Sequence, residues 1–461
     1  MNKKSVRSNP HTLGDDIAKK HLHPAKVITL SFIMIIILGT FLLCLPISSR
    51  TGEFTGLLDS LFTATTSTCV TGLIVVDTLQ HWSFFGQAVI LLLIQVGGLG
   101  LVSLTTFFFI VLRHKVGISR LNIAQESVGS GTLQTLNSLI KIVVGSTVVI
   151  ELLGAIVLST QFIPEYGLKR GIWTAIFTSV SAYCNAGIDV LTNGFKSLSD
   201  FSENPIVLIT IMLLIVTGGL GFIVFQDLLT YKKRKKLMLH TRTVLFATAV
   251  LILFGAIAVF ALEYTNNKTI GAMSLPNKIV NSFFQSISYR TAGFCTFNIA
   301  DMNIVSKTLG CVFMFIGAAP GSTGGGIKIT TFMILVMTVV ATVKNRSETV
   351  LFHRRVDYRV VYKALSIVFL GIVVVCITTG VLLIENSISL VDSVYESVSA
   401  FATVGLSTGI TPALGSVSKV ALIITMLIGR CGIISFFIAL TLHEQNNHKN
   451  FVIPEGEIIV G

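Results

Sequence analysis

Long hydrophobic segments alternate with short polar connections along most of the chain. An α-helix needs about 20 apolar residues to cross the ~30 Å hydrocarbon core of a bilayer. Eight segments reach that length and are predicted to be transmembrane helices: 27–47, 83–112, 138–160, 205–230, 243–264, 306–343, 363–385 and 416–442. The first lacks a small-residue cleavage site, so we interpret it as a retained helix and not as a signal peptide. The pattern predicts an all-α integral membrane protein.

Four further stretches of about 13 residues lie between these predicted helices and are too short to cross a bilayer. They align without gaps as SLFTATTSTCVTGL from Ser60, AIFTSVSAYCNAGI from Ala175, NSFFQSISYRTAGF from Asn281 and SVYESVSAFATVGL from Ser393. The third column is aromatic in every copy: Phe62, Phe177, Phe283 and Tyr395. The thirteenth is glycine, at spacings of 115, 106 and 112 residues: Gly72, Gly187, Gly293 and Gly405. This regularity predicts four pseudo-symmetric repeats of helix, re-entrant pore loop and helix.

The glycine-containing segments are candidates for an ion filter. Non-helical backbone at membrane depth is tolerated only when it is buried in protein or lines a water-filled path. Glycine adopts φ > 0 readily, so successive carbonyl groups can turn toward one axis and replace the hydration shell of a cation. The C-terminal ends of the preceding short helices add negative potential at that axis. The candidate filter residues are Val70, Thr71, Gly72, Asn185, Ala186, Gly187, Thr291, Ala292, Gly293, Thr403, Val404 and Gly405.

A single glycine after a short helix is also typical of an ordinary helix C-cap. Four copies in one register favour a filter over four unrelated caps. The two residues before the glycine differ between copies, as expected if main-chain carbonyls bind the ion, so the site is four-fold only approximately. Asp77 and Asp189 follow two of the segments and either raise the local cation concentration or are ordinary solvated acids.

Lysine and arginine are concentrated in alternate connections. Residues 1–26, 113–141, 231–242, 344–363 and 443–461 hold 23 of the 34, and the positive-inside rule predicts that these segments, with both termini, are cytoplasmic. The net charge of +12 follows from this flanking pattern, so nucleic acid binding is not expected. A content of 52% hydrophobic and 12% charged residues excludes an ordinary soluble protein. The seven cysteines show no CxxC spacing and are predicted to be buried single residues.

The span predicted at 306–343 is interrupted by GAAPGSTGGGIK, residues 317–328. Interior glycines cost a helix about 1 kcal/mol each and proline about 3 kcal/mol, so this stretch is predicted to be a loop that other elements hold. A Walker A phosphate loop is the rival interpretation, but Ile327 separates glycine from lysine and no strand precedes the motif. The GGLG motifs at 97–100 and 218–221 predict a close-packing notch or a mild kink.

Arg430 lies in MLIGRCGIISFF, near the middle of the last predicted span. An arginine at the bilayer centre costs about 3 kcal/mol or more unless it is paired or hydrated. No acidic residue lies near it in its own span, so its partners are predicted to come from other segments. Carbonyl and hydroxyl groups of the loop at 317–326 are the first candidates, and a buried carboxylate such as Glu151 or Glu263 is the alternative.

A single chain with four helix, pore-loop, helix units and one filter glycine in each resembles the Trk/Ktr/HKT superfamily of potassium transporters. Its length and eight predicted spans most resemble the membrane subunit of a bacterial Ktr-type potassium uptake system. The likeness covers nearly the whole chain. Every repeat departs from the channel motif TVGYG and keeps only the glycine, and Asn185 replaces the valine or threonine of the other copies, which leaves its partners open.

The resemblance implies potassium uptake through a central pore in the bacterial plasma membrane, with sodium influencing transport. It also implies that the broken segment of repeat 3 is an intramembrane gate contacted by a cation of the last helix. The candidate gate residues are then Gly317, Gly321, Ser322, Thr323, Gly324, Gly325, Gly326, Lys328 and Arg430. The implied partners are membrane lipid, a second copy in a homodimer, and an octameric ring of cytosolic nucleotide-binding regulatory subunits. K⁺ and Na⁺ are the implied ions, and no organic cofactor is expected.

The predicted organisation is a cytoplasmic segment (1–26), repeat 1 (27–112), repeat 2 (113–230), repeat 3 (231–343), repeat 4 (344–443) and a cytoplasmic tail (444–461). Two other functional classes fit less well. A secondary transporter of another cation or a small solute usually shows two repeated halves and not four filter-like units. An enzyme is not expected, because no HExxH, GxSxG or His/Cys cluster lies within the predicted spans.

Overall fold

The computed structural model describes residues 24–100, 133–191 and 197–441. Almost all of the predicted N-terminal segment, the connection at 113–132 and the C-terminal tail lie outside these residues. Residues 101–112, the second part of the span predicted at 83–112, also lie outside them. The cytoplasmic location of both termini therefore stays a prediction.

The described residues are mostly helical. Their sixteen α-helices are α1 (Pro24–Cys44), α2 (Leu57–Thr68), α3 (Thr78–His81), α4 (Phe84–Leu99), α5 (Leu133–Tyr166), α6 (Leu168–Tyr183), α7 (Pro205–Gly219), α8 (Phe222–Arg234), α9 (Leu239–Glu263), α10 (Leu275–Ser288), α11 (Ile304–Phe315), α12 (Ile329–Val343), α13 (Tyr358–Glu385), α14 (Leu390–Ala402), α15 (Ser416–Cys431) and α16 (Ile433–Thr441). Between α12 and α13, β1 (Val350–Leu351) and β2 (Arg354–Arg355) form an antiparallel hairpin that pairs Val350 with Arg355.

One order of elements recurs four times along the chain. A long helix (α1, α5, α9 or α13) is followed by a short helix (α2, α6, α10 or α14) that packs against it. A non-helical segment with one of the aligned glycines comes next, and then a further apolar helix (α4, α7, α11 or α15). The boundaries drawn between the repeats stay predictions.

Four of the described helices, α1, α5, α9 and α13, are long and apolar enough to cross a membrane. The α7–α8 pair passes the same test as one broken span, but it is bent by 92°. Gly221 at the break has φ +88°, a left-handed conformation that ends one helix and lets another begin. The mild kink predicted at 218–221 is therefore wrong, because the chain turns almost at a right angle there.

Two further predicted spans are divided. The span at 306–343 consists of α11 and α12 separated by the predicted loop. The span at 416–442 is interrupted at Gly432, which has φ +85° and separates α15 from α16. The sequence has Gly429 and Gly432 there, and single glycines do not by themselves predict a break.

The outer surface is apolar and the interior is partly polar. Met34 and Phe41 of α1 are each 63% exposed. The hydroxyl groups of Thr65 and Ser67 in α2 are instead buried, and each donates to the main-chain carbonyl four residues earlier. Soluble proteins rarely expose large contiguous apolar surfaces, so this distribution is typical of a multi-pass membrane protein.

Candidate ion pore

The four aligned glycines meet at the centre of the molecule. A methyl group built on each of them would lie less than 3.0 Å from a carbonyl oxygen of the next repeat. These approaches run in a closed order: Gly72 to Ala186 O, Gly187 to Ala292 O, Gly293 to Val404 O and Gly405 to Thr71 O. All four glycines also line one cavity. The four segments therefore surround a common axis, and the absence of a Cβ permits their close approach.

The backbone of each segment is left-handed at two positions. The four glycines have φ of +99°, +65°, +78° and +90° in chain order. The residue two places earlier also has positive φ in every copy: Val70 (+56°), Asn185 (+60°), Thr291 (+68°) and Thr403 (+52°). Positive φ is strained for residues with a branched Cβ, and such strain concentrates at functional sites. Sequence reasoning missed this second position because no glycine marks it.

All four short helices end before the glycine, and three of them end within two residues of this earlier position. The next N–H donates to a carbonyl five residues back in three copies: Thr71 to Thr66 O (2.8 Å), Ala186 to Ser181 O (2.7 Å) and Val404 to Ser399 O (2.8 Å). This is the hydrogen bond of a Schellman cap. In the remaining copy, Ala292 N–H donates to Ser288 O at 3.1 Å. The alternative explanation of the glycines as ordinary C-caps is therefore wrong.

Hydroxyl groups of the short helices brace the segments beyond the caps. Thr66 Oγ1 accepts from Gly72 N–H at 3.0 Å, and Ser399 Oγ accepts from Gly405 N–H at 3.1 Å. Ser181 Oγ accepts from Ile188 N–H at 3.1 Å. In the third copy, Ser288 Oγ donates to Phe294 O at 2.5 Å. A hydroxyl in the seventh column of three copies was the available signal, and sequence reasoning missed it because the third copy carries its serine one residue later.

The candidate filter residues other than glycine have fully buried side chains, each 0% exposed. Asn185 fills its buried position by joining two repeats. With its amide nitrogen facing the carbonyl oxygens of Ala182 (3.1 Å) and Ile215 (3.2 Å), its oxygen accepts from Thr291 Oγ1 at 3.3 Å. These contacts answer the open question about the partners of Asn185.

The four glycines open onto a cavity of about 580 Å³. We call it the outer vestibule, because the distribution of basic residues in the sequence predicts that it faces the cell exterior. Asp77, Asp189 and Asp200 contribute to its lining. Burial raises the pKa of Asp189 to about 6, and the neighbouring Asp77 adds to the rise. Asp77 and Asp189, the two acids identified in the sequence, therefore both line this cavity.

The predicted loop at 317–328 packs against the glycine-containing segments at the end where they leave the short helices. A methyl group built on Gly324 would overlap Thr291 Oγ1, and one built on Gly325 would overlap Thr403 Oγ1. One built on Gly326 would lie 3.0 Å from Ala402 Cα. The glycines of this loop thus allow it to pack directly beneath the converging segments.

Other elements hold this loop, as expected for non-helical backbone. Gly317 N–H donates to Ile327 O at 2.8 Å and closes the loop at its base. Gly321 O accepts from Phe222 N–H at 2.9 Å, at the start of α8. Within the loop, Lys328 Nζ donates to Gly324 O at 2.7 Å and Ser322 Oγ donates to Ala319 O at 2.6 Å.

Arg430 joins the loop to the first repeat. Its guanidinium donates to Thr323 O in the loop, and to Gly97 O at 2.5 Å and Gly98 O at 3.2 Å at the end of α4. Within the described part of the chain it forms no ion pair. Glu151 accepts from Gln95 instead, and Glu263 accepts from Thr269, Asn266 and Asn303. The predicted loop contact is present, and the alternative carboxylate partner is wrong.

The GGLG motifs are packing notches. A methyl group on Gly97 would overlap Thr68 O, the last residue of α2, and one on Gly218 would overlap Tyr183 O, the last residue of α6. Gly429 approaches Phe401 O in the same way in α14. The second apolar helix of these repeats can therefore touch the end of the short helix directly.

Side-chain contacts also link successive repeats near the start of the second apolar helix. Lys419 Nζ is 3.1 Å from Asp59 Oδ1, and Lys307 Nζ is 3.5 Å from Asp392 Oδ1. Trp173 Nε1 donates to Gln87 Oε1 at 2.8 Å. Gln87, Lys307 and Lys419 are each the fourth residue of their helix, so equivalent positions make these contacts. We call these three pairs the ring contacts.

Residues 8–450 match the family model described as TrkH, a cation transport protein. The chain belongs to this family. The potassium/sodium uptake protein NtpJ of Enterococcus hirae is 36% identical over 447 residues, which cover 96% of this chain and 98% of that protein. The Ktr system potassium uptake protein B of Bacillus subtilis is 35% identical over 438 residues, which cover 95% of this chain and 97% of that protein.

The crystal structure of the potassium transporter TrkH from Vibrio parahaemolyticus has the same fold, with a TM-score of 0.69 at 18% identity. The aligned region covers 90% of this chain and 85% of the Vibrio parahaemolyticus chain. The resemblance to the Trk/Ktr superfamily is thus confirmed. This family is described by cation transport and not by a catalysed reaction, in agreement with the expectation from the sequence that the chain is not an enzyme.

Proposed function

We propose that the protein takes up potassium through one pore at the centre of its four repeats. The observation that carries this proposal is the closed order in which each aligned glycine approaches a carbonyl oxygen of the next repeat. Peptide oxygens arranged in this way can replace the hydration shell of an alkali ion. Relatives named as potassium or potassium/sodium uptake proteins share about a third of their residues with almost the entire chain.

In this proposal the filter acts through its main chain. None of the twelve candidate residues is charged, and the side chains of those other than glycine are buried. Neutral carbonyl dipoles bind a cation strongly enough to remove its water but weakly enough to release it. The C-terminal ends of α2, α6, α10 and α14 point negative potential toward the same axis.

We infer that the fold has eight transmembrane helices and four re-entrant pore helices, in the bacterial plasma membrane with cytoplasmic termini. The fourfold recurrence of long helix, short helix and apolar helix supports this topology. The basic connections at 231–242 and 344–363 support a cytoplasmic location for those loops and hence, by alternation, for both termini.

We infer further that residues 317–328 gate the pore together with Arg430. The loop packs beneath Thr291 and Thr403, on the line that an ion leaving the filter would follow. Lys328 and Arg430 add positive charge there, which opposes a passing cation. Loss of the Arg430 hydrogen bonds would release the loop from the end of α4 and lower this barrier.

The proposed partners rest on the family. Some relatives are named as components of Ktr systems, and by analogy we propose a homodimer in membrane lipid that an octameric ring of cytosolic nucleotide-binding subunits regulates. The basic connections supply a surface for such subunits. One relative is named as a potassium/sodium uptake protein, which supports an influence of sodium.

Rubidium uptake into proteoliposomes tests the filter. We expect uptake by the wild type and a loss of both rate and ion preference in Gly293→Ser, since Gly293 has φ +78° and its new Cβ would lie 2.7 Å from Val404 O. Gly145→Ser is the matched control, because Gly145 is exposed and a Cβ there meets no atom within 4 Å. Absence of wild-type uptake, or a Gly293→Ser variant that transports like the wild type, would refute the proposal.

A further inference from the structure

Glu396 is a buried acid of α14, and it has no role in the proposed filter or gate. It lies nine residues before Gly405 and is 0% exposed. The aligned positions of the other repeats are Thr63, Thr178 and Phe284, so the fourth copy alone carries a charge in this column. A buried charge is tolerated only when other groups compensate it, and its neighbours therefore indicate what it binds.

The neighbours of Glu396 are hydroxyl groups from the segment that follows the filter. Its Oε1 accepts hydrogen bonds from Ser407 Oγ, at 3.0 Å, and from Thr411 Oγ1. The two hydroxyl oxygens are 3.1 Å apart. Ser407 and Thr411 also line the outer vestibule. A compact group of three oxygens thus borders the vestibule.

Two more oxygens of this cluster have no hydrogen-bond partner among the described residues. They are Glu396 Oε2 and Thr408 Oγ1, and both atoms are buried. Thr408 follows Ser407 directly in the chain and lines the same vestibule, so it belongs to the same cluster. A buried carboxylate oxygen without a partner is costly. A bound cation would remove that cost.

We propose that Glu396, Ser407, Thr408 and Thr411 form an alkali-cation site in the wall of the outer vestibule, apart from the pore axis. All the ligand atoms are oxygens, which suit a hard cation, and one carboxylate balances one positive charge. Each hydroxyl oxygen keeps a lone pair for a metal while it donates its proton. Oxygens 3.0–3.1 Å apart fit around a small ion better than a large one, so the site favours sodium over potassium.

The consequence for transport rests on the proposed function. Ser407 lies two residues beyond Gly405, so a cation bound to Ser407 and Glu396 ties the fourth filter segment to its own short helix. Occupancy by external sodium would stiffen that segment and strengthen potassium binding. Sodium would then act as a bound modulator and would not need to pass through the filter.

Thermal unfolding of the purified full-length chain in choline chloride, with sodium chloride added in steps, tests the site. A ligand that binds only the folded state raises the midpoint temperature in a saturable way. We expect such a saturable rise for the wild type in sodium chloride. In Glu396→Gln we expect the half-saturating sodium concentration to rise at least about tenfold, because the amide keeps an oxygen for the hydroxyls but loses the charge.

Glu203→Gln is the matched control, since it removes an exposed acid that does not line the vestibule. It should respond to sodium like the wild type. No saturable response of the wild type, or an equal response of Glu396→Gln, would overturn the site.

Thr411→Val keeps the carboxylate and removes one ligand oxygen. It therefore provides a second test of the site if Glu396→Gln folds poorly. It should also weaken the sodium response, and an unchanged response would count against the site. Rubidium uptake in the same preparations separates the two proposals. Uptake without sodium binding refutes this site alone, whereas sodium binding without uptake refutes the pore alone.

Discussion

The filter segments and the loop at 317–328 are both non-helical backbone enclosed by hydrophobic helices, but they are held differently. In the first repeat, Thr71 N–H and Gly72 N–H bond to Thr66, which belongs to the same short helix. The loop instead depends on other repeats, through Phe222 of the second and Arg430 of the fourth. Local bonds fix a geometry, whereas bonds to distant elements can be released when those elements shift.

The two regions also differ in charge. The vestibule above the filter segments carries Asp77, Asp189 and Asp200. The loop beneath them contains Lys328 and is contacted by Arg430. In the proposed pore, a cation would therefore be attracted on the vestibule side and opposed on the loop side, as expected for an inward pathway with an internal barrier.

The largest effect is expected where the filter geometry is broken. Gly405→Ala must adopt φ +90° and bring its Cβ against Thr71 O. Backbone strain and overlap together cost about 3 kcal/mol, so we expect roughly a hundredfold loss of rubidium uptake. Flux assays in proteoliposomes measure the loss.

Gly409→Ala separates the effect of backbone strain from the effect of overlap with a neighbouring repeat. Gly409 has φ +89°, but a Cβ built there meets no atom within 4 Å, so only the strain remains. We expect a much smaller loss than for Gly405→Ala. Equal losses in the two variants would mean that close approach of the repeats is not required.

The second-largest effect is expected at the loop, where a substitution should increase rubidium flux instead of reducing it. Arg430→Ala removes three hydrogen bonds to carbonyls of Thr323, Gly97 and Gly98. If those bonds hold the loop in the path, basal rubidium flux should rise about tenfold, while the preference for rubidium over sodium stays that of the wild type.

Arg430→Lys is the control for charge. Lysine keeps the positive charge but cannot span carbonyls of two elements with one planar group, so we expect an intermediate flux. Unchanged flux in a normally folded Arg430→Ala protein would assign the arginine a purely structural role.

A smaller effect is expected at the outer end, where Asp189 has a pKa raised to about 6. Above that pH the carboxylate is ionised and attracts cations, and below it the group is neutral. The half-saturating rubidium concentration should therefore increase roughly threefold as external pH falls through this range. Asp189→Asn should show the weaker affinity at every pH. A variant that keeps the wild-type pH dependence would exclude Asp189 as its source.

The architecture was predictable because hydrophobic length and an ungapped repeat are strong signals. The contact between Arg430 and the loop followed from the cost of an unpaired charge in a membrane. The sharp turn at Gly221 was not predictable, since a glycine pair indicates close packing as readily as a break. The left-handed residues Val70, Thr291 and Thr403 could not be recognised either, because valine and threonine rarely adopt positive φ and only their surroundings impose it. Asparagine adopts positive φ more readily, but Asn185 alone does not mark the position in the other copies.

The smallest effect is expected at the ring contacts, which test whether filter geometry is local. Lys419 and Asp59 are 14% and 35% exposed, so their ion pair contributes only about 0.5 kcal/mol to stability. A double-mutant cycle with Lys419→Met and Asp59→Asn, followed by thermal unfolding, measures that coupling. If hydrogen bonds within each copy set the filter, both variants keep the wild-type preference for rubidium over sodium. A lost preference would mean that the filter, like the loop, depends on neighbouring repeats for its shape.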